Sequence, residues 1–174
     1  TLMRSSAASD VYKRQCIYRN IKKRGSIMTY VLISACLLGQ SCRYDGKHKQ
    51  YDAINTLMER DDIVLIPICP EQAGGLATPR DPSERKGSMV FTTNGIDVTA
   101  QYNKGAEEAL RLCRLYHCNT AILKEKSPSC GHGRIYDGTF TRTLVNGNGV
   151  TAERLIKAGI TVIGETEINM YLQT

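Results

Sequence analysis

Three cysteines stand where apolar runs stop. Tyr30-Val31-Leu32-Ile33-Ser34-Ala35 runs into Cys36, and Ile63-Val64-Leu65-Ile66-Pro67-Ile68 runs into Cys69-Pro70. Thr120-Ala121-Ile122-Leu123 leads through Ser127-Pro128-Ser129 to Cys130-Gly131. Each thiol is followed within three residues by glycine or proline, and a cysteine that only packs has no need of breakers around it. Soft thiolates in such positions suit zinc or an iron–sulfur cluster. Three of them without a clear fourth ligand leave two metal readings open: a zinc that keeps a position for water, or a cluster with one iron free of protein. Cys42, in the glycine-punctuated loop after the first run, is the competing ligand. Cys113, on an apolar helix face, and Cys118, at the end of that helix, read as packing. Cys16 belongs to the N-terminal leader.

The polar neighbours decide between catalysis and mere binding. Glu71, two residues past Cys69, is either a solvated loop carboxylate or an acid–base group held against the thiols. Ser127 and Ser129 flank Pro128, which fits turn chemistry as well as a site. Gly74, Gly75 and Gly131 would let the backbone approach a ligand closely. His48, His117 and His132 show no metal-ligand spacing. A cysteine-nucleophile hydrolase therefore lacks a histidine partner. No Cys-x-x-Cys pair occurs, which weakens a zinc ribbon or a thioredoxin-like motif. Seven cysteines, an odd number, without a secretion signal argue against a disulfide framework.

The elements that must position these residues follow from periodicity. Short β-branched runs bounded by breakers are strands covered on both faces, and ligands of open α/β sheets bind outside the carboxyl ends of such strands. A helix is expected over residues 51–60, with Ile54, Leu57 and Met58 on one face. Residues 71–87 read as an ordered functional loop, and residues 88–91 with Asn94-Gly95 as a short strand and tight turn. Asp97 or Thr99 would cap a long helix reaching His117, its inward face holding Val98, Tyr102, Ala106, Ala109, Leu110, Cys113 and Tyr116. Residues 134–141 alternate around Asp137-Gly138 as a hairpin. A last helix capped by Thr151 and closed by Gly159 precedes a fourth strand over residues 160–163. The order is that of an α/β fold: one three-layer, Rossmann-like domain with a mostly parallel sheet and its cysteines at the C-terminal strand edge.

Length and charge bound the rest. The chain has 174 residues, of which 41% are hydrophobic, and a chain of this size buries roughly two-thirds of its unfolded surface. The net charge of +6 suggests a nucleic-acid partner, but seven of the 23 basic residues and one of the 17 acidic ones fall in residues 1–27, leaving sixteen of each from Met28 onward. The remainder is formally neutral and supports no basic groove. Residues 1–27 are expected to be a disordered or artefactual leader and residues 28–174 the functional domain. No apolar run is long enough for a signal or a membrane span, so the expected location is cytoplasmic.

The motifs taken together resemble the small bacterial thiouracil desulfidases. They are Ser34-Ala35-Cys36-Leu37-Leu38-Gly39, Cys42-Arg43-Tyr44-Asp45-Gly46, Cys69-Pro70-Glu71 with Gly74-Gly75-Leu76, Thr78-Pro79-Arg80, Leu123-Lys124 with Ser127-Pro128-Ser129-Cys130-Gly131, Ile135-Tyr136-Asp137-Gly138 and Gly149-Val150-Thr151-Ala152. The resemblance implies a [4Fe–4S] cluster on Cys36, Cys69 and Cys130, with non-redox removal of sulfur from a small thiolated pyrimidine. It implies acid–base work by Glu71 and Ser127, and it makes Gly74, Gly75 and Ser129 candidates for substrate contact. A non-enzymatic iron–sulfur or zinc-binding sensor or carrier is the alternative. It would use the same thiols but have no need of Glu71 and Ser127.

Overall fold

Residues 28–173 are described by the structure, a computed structural model; the expectations for residues 1–27 and Cys16 lie outside the described residues. In chain order the elements are β1 (Thr29–Ser34), α1 (Asp52–Glu59), β2 (Ile63–Ile68), α2 (Pro70–Ala73), β3 (Ser83–Lys86), β4 (Met89–Thr92), α3 (Thr99–Tyr116), β5 (Thr120–Leu123), β6 (Arg134–Tyr136), β7 (Leu144–Asn146), α4 (Val150–Lys157), β8 (Thr161–Gly164) and α5 (Ile168–Tyr171). Strands β2, β1, β5 and β8, in that order, form one parallel sheet. The alternation of side chains divides its residues between two helical layers. Val31, Ile33, Ile63, Leu65 and Ile122 pack with Ile54, Leu57 and Ile168 of α1 and α5. Leu32, Ala121, Leu123 and Val162 pack with Ala109, Leu110, Cys113, Ala152 and Leu155 of α3 and α4. Each fully buried Leu or Ile contributes roughly 1.5–3 kcal/mol. This is the expected three-layer α/β fold.

The topology sets the site. The chain steps outward from β1 to β2, then returns across β1 to β5 and β8, so crossovers of one hand require the helices to change face. They do: α1 lies on one face, α3 and α4 on the other. The reversal falls between β1 and β5, the switch point where open α/β sheets bind ligands. Ser34 at the end of β1 accepts the Lys124 N–H at 2.9 Å across this point. Pro67, which cannot donate to a ladder, is tolerated because β2 is an edge strand.

Several local expectations need correction. The stretch 71–87 is not loop throughout, since it contains most of α2 and all of β3, which pairs antiparallel with β4. β3 reads Ser-Glu-Arg-Lys and has no apolar face. It is held by β4 and by buried Glu84, whose carboxylate accepts the N–H groups of Gly138 and Phe140. The hairpin after Cys130 keeps its first strand, but the chain returns on β7 rather than at residues 139–141. Asp137 accepts both the N–H and the hydroxyl of Thr139, and hydroxyl contacts from Thr139 through Thr141 to Thr143 hold the wider turn. Val98, not Asp97 or Thr99, is the N-cap of α3; Asp97 instead accepts the Thr99 N–H at 2.9 Å. Tyr116 is 39% exposed and stacks on Tyr30 rather than facing inward. The N-cap of α4 is Gly149, where a Cβ would stand 2.3 Å from the Ser129 carbonyl oxygen; Thr151 lies buried inside the helix.

One contact between helices is backbone against backbone. A Cβ on Gly105 in α3 would lie 1.9 Å from the Pro70 carbonyl oxygen, and one on Gly74 would lie 2.0 Å from that of Gln101. By helix propensity Gly105→Ala should stabilise α3 by about 1 kcal/mol. The packing reverses the sign, because α2 must move away, and overpacking of this kind costs about 1–3 kcal/mol. Urea unfolding is expected to show Gly105→Ala less stable than the parent; a more stable variant would contradict this packing.

Candidate active site

Cys36 begins the turn after β1, in a 3₁₀ segment (Ala35–Leu38) that Gly39 closes in the left-handed conformation. Cys69 directly follows β2 as the N-cap of α2, with Pro70 supplying a preset φ at the first helical position. Cys130 follows β5 after the Ser127-Pro128-Ser129 turn. Three parallel strands thus deliver three thiols to the C-terminal edge of the sheet, and Cys42 reaches the same place from the loop after β1. All four line one cavity of ≈ 680 Å³, together with Glu71, Arg80, Tyr102, Lys124 and Ser127.

The thiols interact. Cys42 holds its proton between Cys36 and Cys69, and these hydrogen bonds lower the Cys36 thiol below its ordinary value and bring Cys69 down to about 7. The same bonds push Cys42 far up. The Cys69 sulfur also reaches the Cys42 carbonyl at 3.6 Å. Burial raises the Cys130 thiol, with a hydrogen bond to Ser34 acting the other way. Cys130 is therefore a neutral thiol that a bound cation would ionise. Among the described residues no group of His, Cys, Asp or Glu is arranged to hold a single metal ion. The four thiols line one cavity, a soft donor set whose chemistry fits an iron–sulfur cluster.

Glu71 projects from α2 and is largely buried. Its Oε2 accepts Nε and Nη2 of Arg80 at 2.8 and 2.6 Å, and its Oε1 accepts the Ser127 hydroxyl at 3.4 Å. Ser127 Oγ in turn accepts the N–H groups of Ser129 and Cys130, both at 3.1 Å. The serine is thus both a turn residue and a partner of the carboxylate. That pairing joins residues 56 apart in the chain and gives the cavity a proton acceptor and a hydroxyl side by side. Tyr102 is buried on α3, and its hydroxyl is held above its ordinary value by burial and by the Glu71 charge.

Other expected contacts are not brought to the cavity. Gly74 packs on α3, Gly75 forms a turn at φ +101°, and the Ser129 hydroxyl is buried against Thr151 Oγ1 at 2.9 Å. A Cβ on Gly131 would meet the Ser127 carbonyl oxygen at 2.6 Å, so its bareness serves the turn rather than a ligand. Cys113 and Cys118 are buried at the far end of α3, hydrogen-bonded to each other. Sequence reasoning assigned no role to Arg80 and left Tyr102 in the core. No spacing rule pairs Arg80 with Glu71, though a buried tyrosine needs a hydroxyl partner, and that requirement pointed to Tyr102. Lys124, part of the Leu123-Lys124 motif, was likewise given no role; its ammonium pairs with buried Glu165 at the cavity wall.

Residues 31–167 match the family model described as 2-thiouracil desulfurase. A protein of Bacillus subtilis (strain 168), described as the uncharacterized protein YbbK, is 41% identical over 152 residues, which is 82% of this chain and 99% of that protein. A solved structure of the [4Fe-4S]-dependent thiouracil desulfidase TudS superposes with a TM-score of 0.77 at 43% identity, covering 83% of this chain and 98% of that one.

Proposed function

The chain belongs to the 2-thiouracil desulfurase family, and from that membership we propose that it replaces the thione sulfur of a small thiolated pyrimidine with oxygen from water. The observation that carries this reading is the convergence of four thiols, a carboxylate and a serine hydroxyl on one cavity at the switch point of the sheet. Cys36, Cys69 and Cys130 would hold a [4Fe–4S] cluster, the group on which the TudS relative is described as dependent, with Cys42 as the competing ligand. When bound, the cluster supplies a Lewis acid for the thione sulfur. Glu71 takes a proton from the water that attacks the thione carbon, Oε1 being the oxygen on the Ser127 side. Ser127 turns its one hydroxyl proton from Glu71 Oε1 to the ring when substrate binds, its oxygen held in place by the two N–H groups that it accepts. One C=S bond breaks, one C=O bond forms, and the two protons of water leave with the sulfur as hydrogen sulfide. No electrons are gained or lost. Among the described residues no helix is long and apolar enough to cross a membrane.

Anaerobic reconstitution with iron and sulfide tests the reading. Reconstituted protein should release sulfide from 2- or 4-thiouracil, and chelator-stripped protein should not. Equal rates from both would remove the metal from the reaction; no release by fully loaded protein would favour a sensor or carrier.

A further inference from the structure

We propose that Arg80 is the positioning residue of this site, acting through Glu71 and tying that carboxylate to the loop that carries Cys42. The assignment rests on the acid–base role proposed above for Glu71. The Arg80 side chain is 9% exposed. Its Nε and Nη2 both donate to Oε2 of Glu71, Nη2 also donates to the Cys42 carbonyl at 3.1 Å, and Nη1 donates to the Ala77 carbonyl and Thr78 Oγ1, both at 3.0 Å. A guanidinium has five N–H donors, and here all five are used. The Arg80 N–H donates to the Tyr44 carbonyl at 2.9 Å, a second tie to the Cys42 loop.

Two consequences follow from this geometry. Because both donors end on Oε2, the arginine fixes which carboxylate oxygen is left for Ser127 and the cavity. Because the Cys42 carbonyl accepts both Arg80 and the Cys69 sulfur, the distance between acid and thiols is set through one residue. Lysine offers a point charge without the fork, so Arg80→Lys keeps the charge and loses the geometry.

The test uses reconstituted holoprotein carrying Arg80→Lys, Glu71→Gln, or both. Arg80→Lys is expected to retain full iron and the substrate-induced change in the cluster spectrum. Its kcat should fall by up to about 10²-fold, the cost of a misplaced reacting group, with KM within about twofold of the parent. The double variant should turn over no more slowly than Glu71→Gln alone, since a residue acting through another has no effect once that other is gone. Wild-type kcat in Arg80→Lys, or losses that multiply in the double variant, would overturn the assignment. So would loss of iron or fold in Arg80→Lys, which would make Arg80 a scaffold residue. Should the parent holoprotein release no sulfide, the functional reading fails separately. The tie is then decided by urea midpoints, where non-additive losses for the two single variants support it and additive losses overturn it.

Discussion

Serine in place of Cys36, Cys69 or Cys130, one at a time, is expected to leave a colourless protein without desulfidase activity after anaerobic reconstitution. Each thiol follows a different strand, so none can substitute for another without moving a strand of the sheet. Serine preserves size but not the soft thiolate that iron needs. Cys113→Ser is the control: that thiol is buried at the distant end of α3 and should leave iron content unchanged. Cys42→Ser should lose activity in part, because its backbone carbonyl still serves Cys69 and Arg80 while the shorter hydroxyl no longer reaches Cys36 and Cys69 with the thiol's geometry. Iron and visible absorption per chain check each variant. Full iron in Cys130→Ser with none in Cys42→Ser would shift the ligand set to Cys36, Cys42 and Cys69.

Glu71→Gln separates a catalyst from a carrier. The amide keeps the shape and can still accept a hydrogen bond, but it cannot take a proton from water. General acid–base groups contribute about 10²–10⁴-fold to rate, and turnover is expected to fall by about that factor. Iron content and the spectral response to thiouracil should be those of the parent, because the carboxylate is not among the proposed ligands. A wild-type rate would reduce Glu71 to a loop carboxylate and pass proton transfer to Ser127 or water. A carrier would show turnover in neither form.

The sheet was readable because strand-length apolar runs ending at breakers have few other folds available, and the alternation in Val31, Leu32 and Ile33 maps onto two helical layers. β3 was not readable, since its register comes from β4 and from Glu84 bonding to a turn more than fifty residues away. The caps failed for a related reason. Gly149 caps α4 because the Ser129 carbonyl leaves no room for a side chain, a constraint that no local preference encodes. At the site, the thiols were legible from position alone, whereas the Arg80 fork and the Glu71–Ser127 contact exist only once β2, β5 and the loops between them are assembled. The missing side chain of Gly74 likewise serves a helix crossing, a role that appears only once α2 and α3 are packed.

The most direct measurement follows the oxygen. Reconstituted protein is incubated with 4-thiouracil in water enriched in heavy oxygen, and sulfide and the mass of the pyrimidine product are read together. The proposed chemistry requires equal amounts of sulfide and uracil, with the heavy oxygen in the uracil and no added reductant or oxidant. Sulfide without labelled uracil, or no sulfide from protein carrying its full iron, would contradict it.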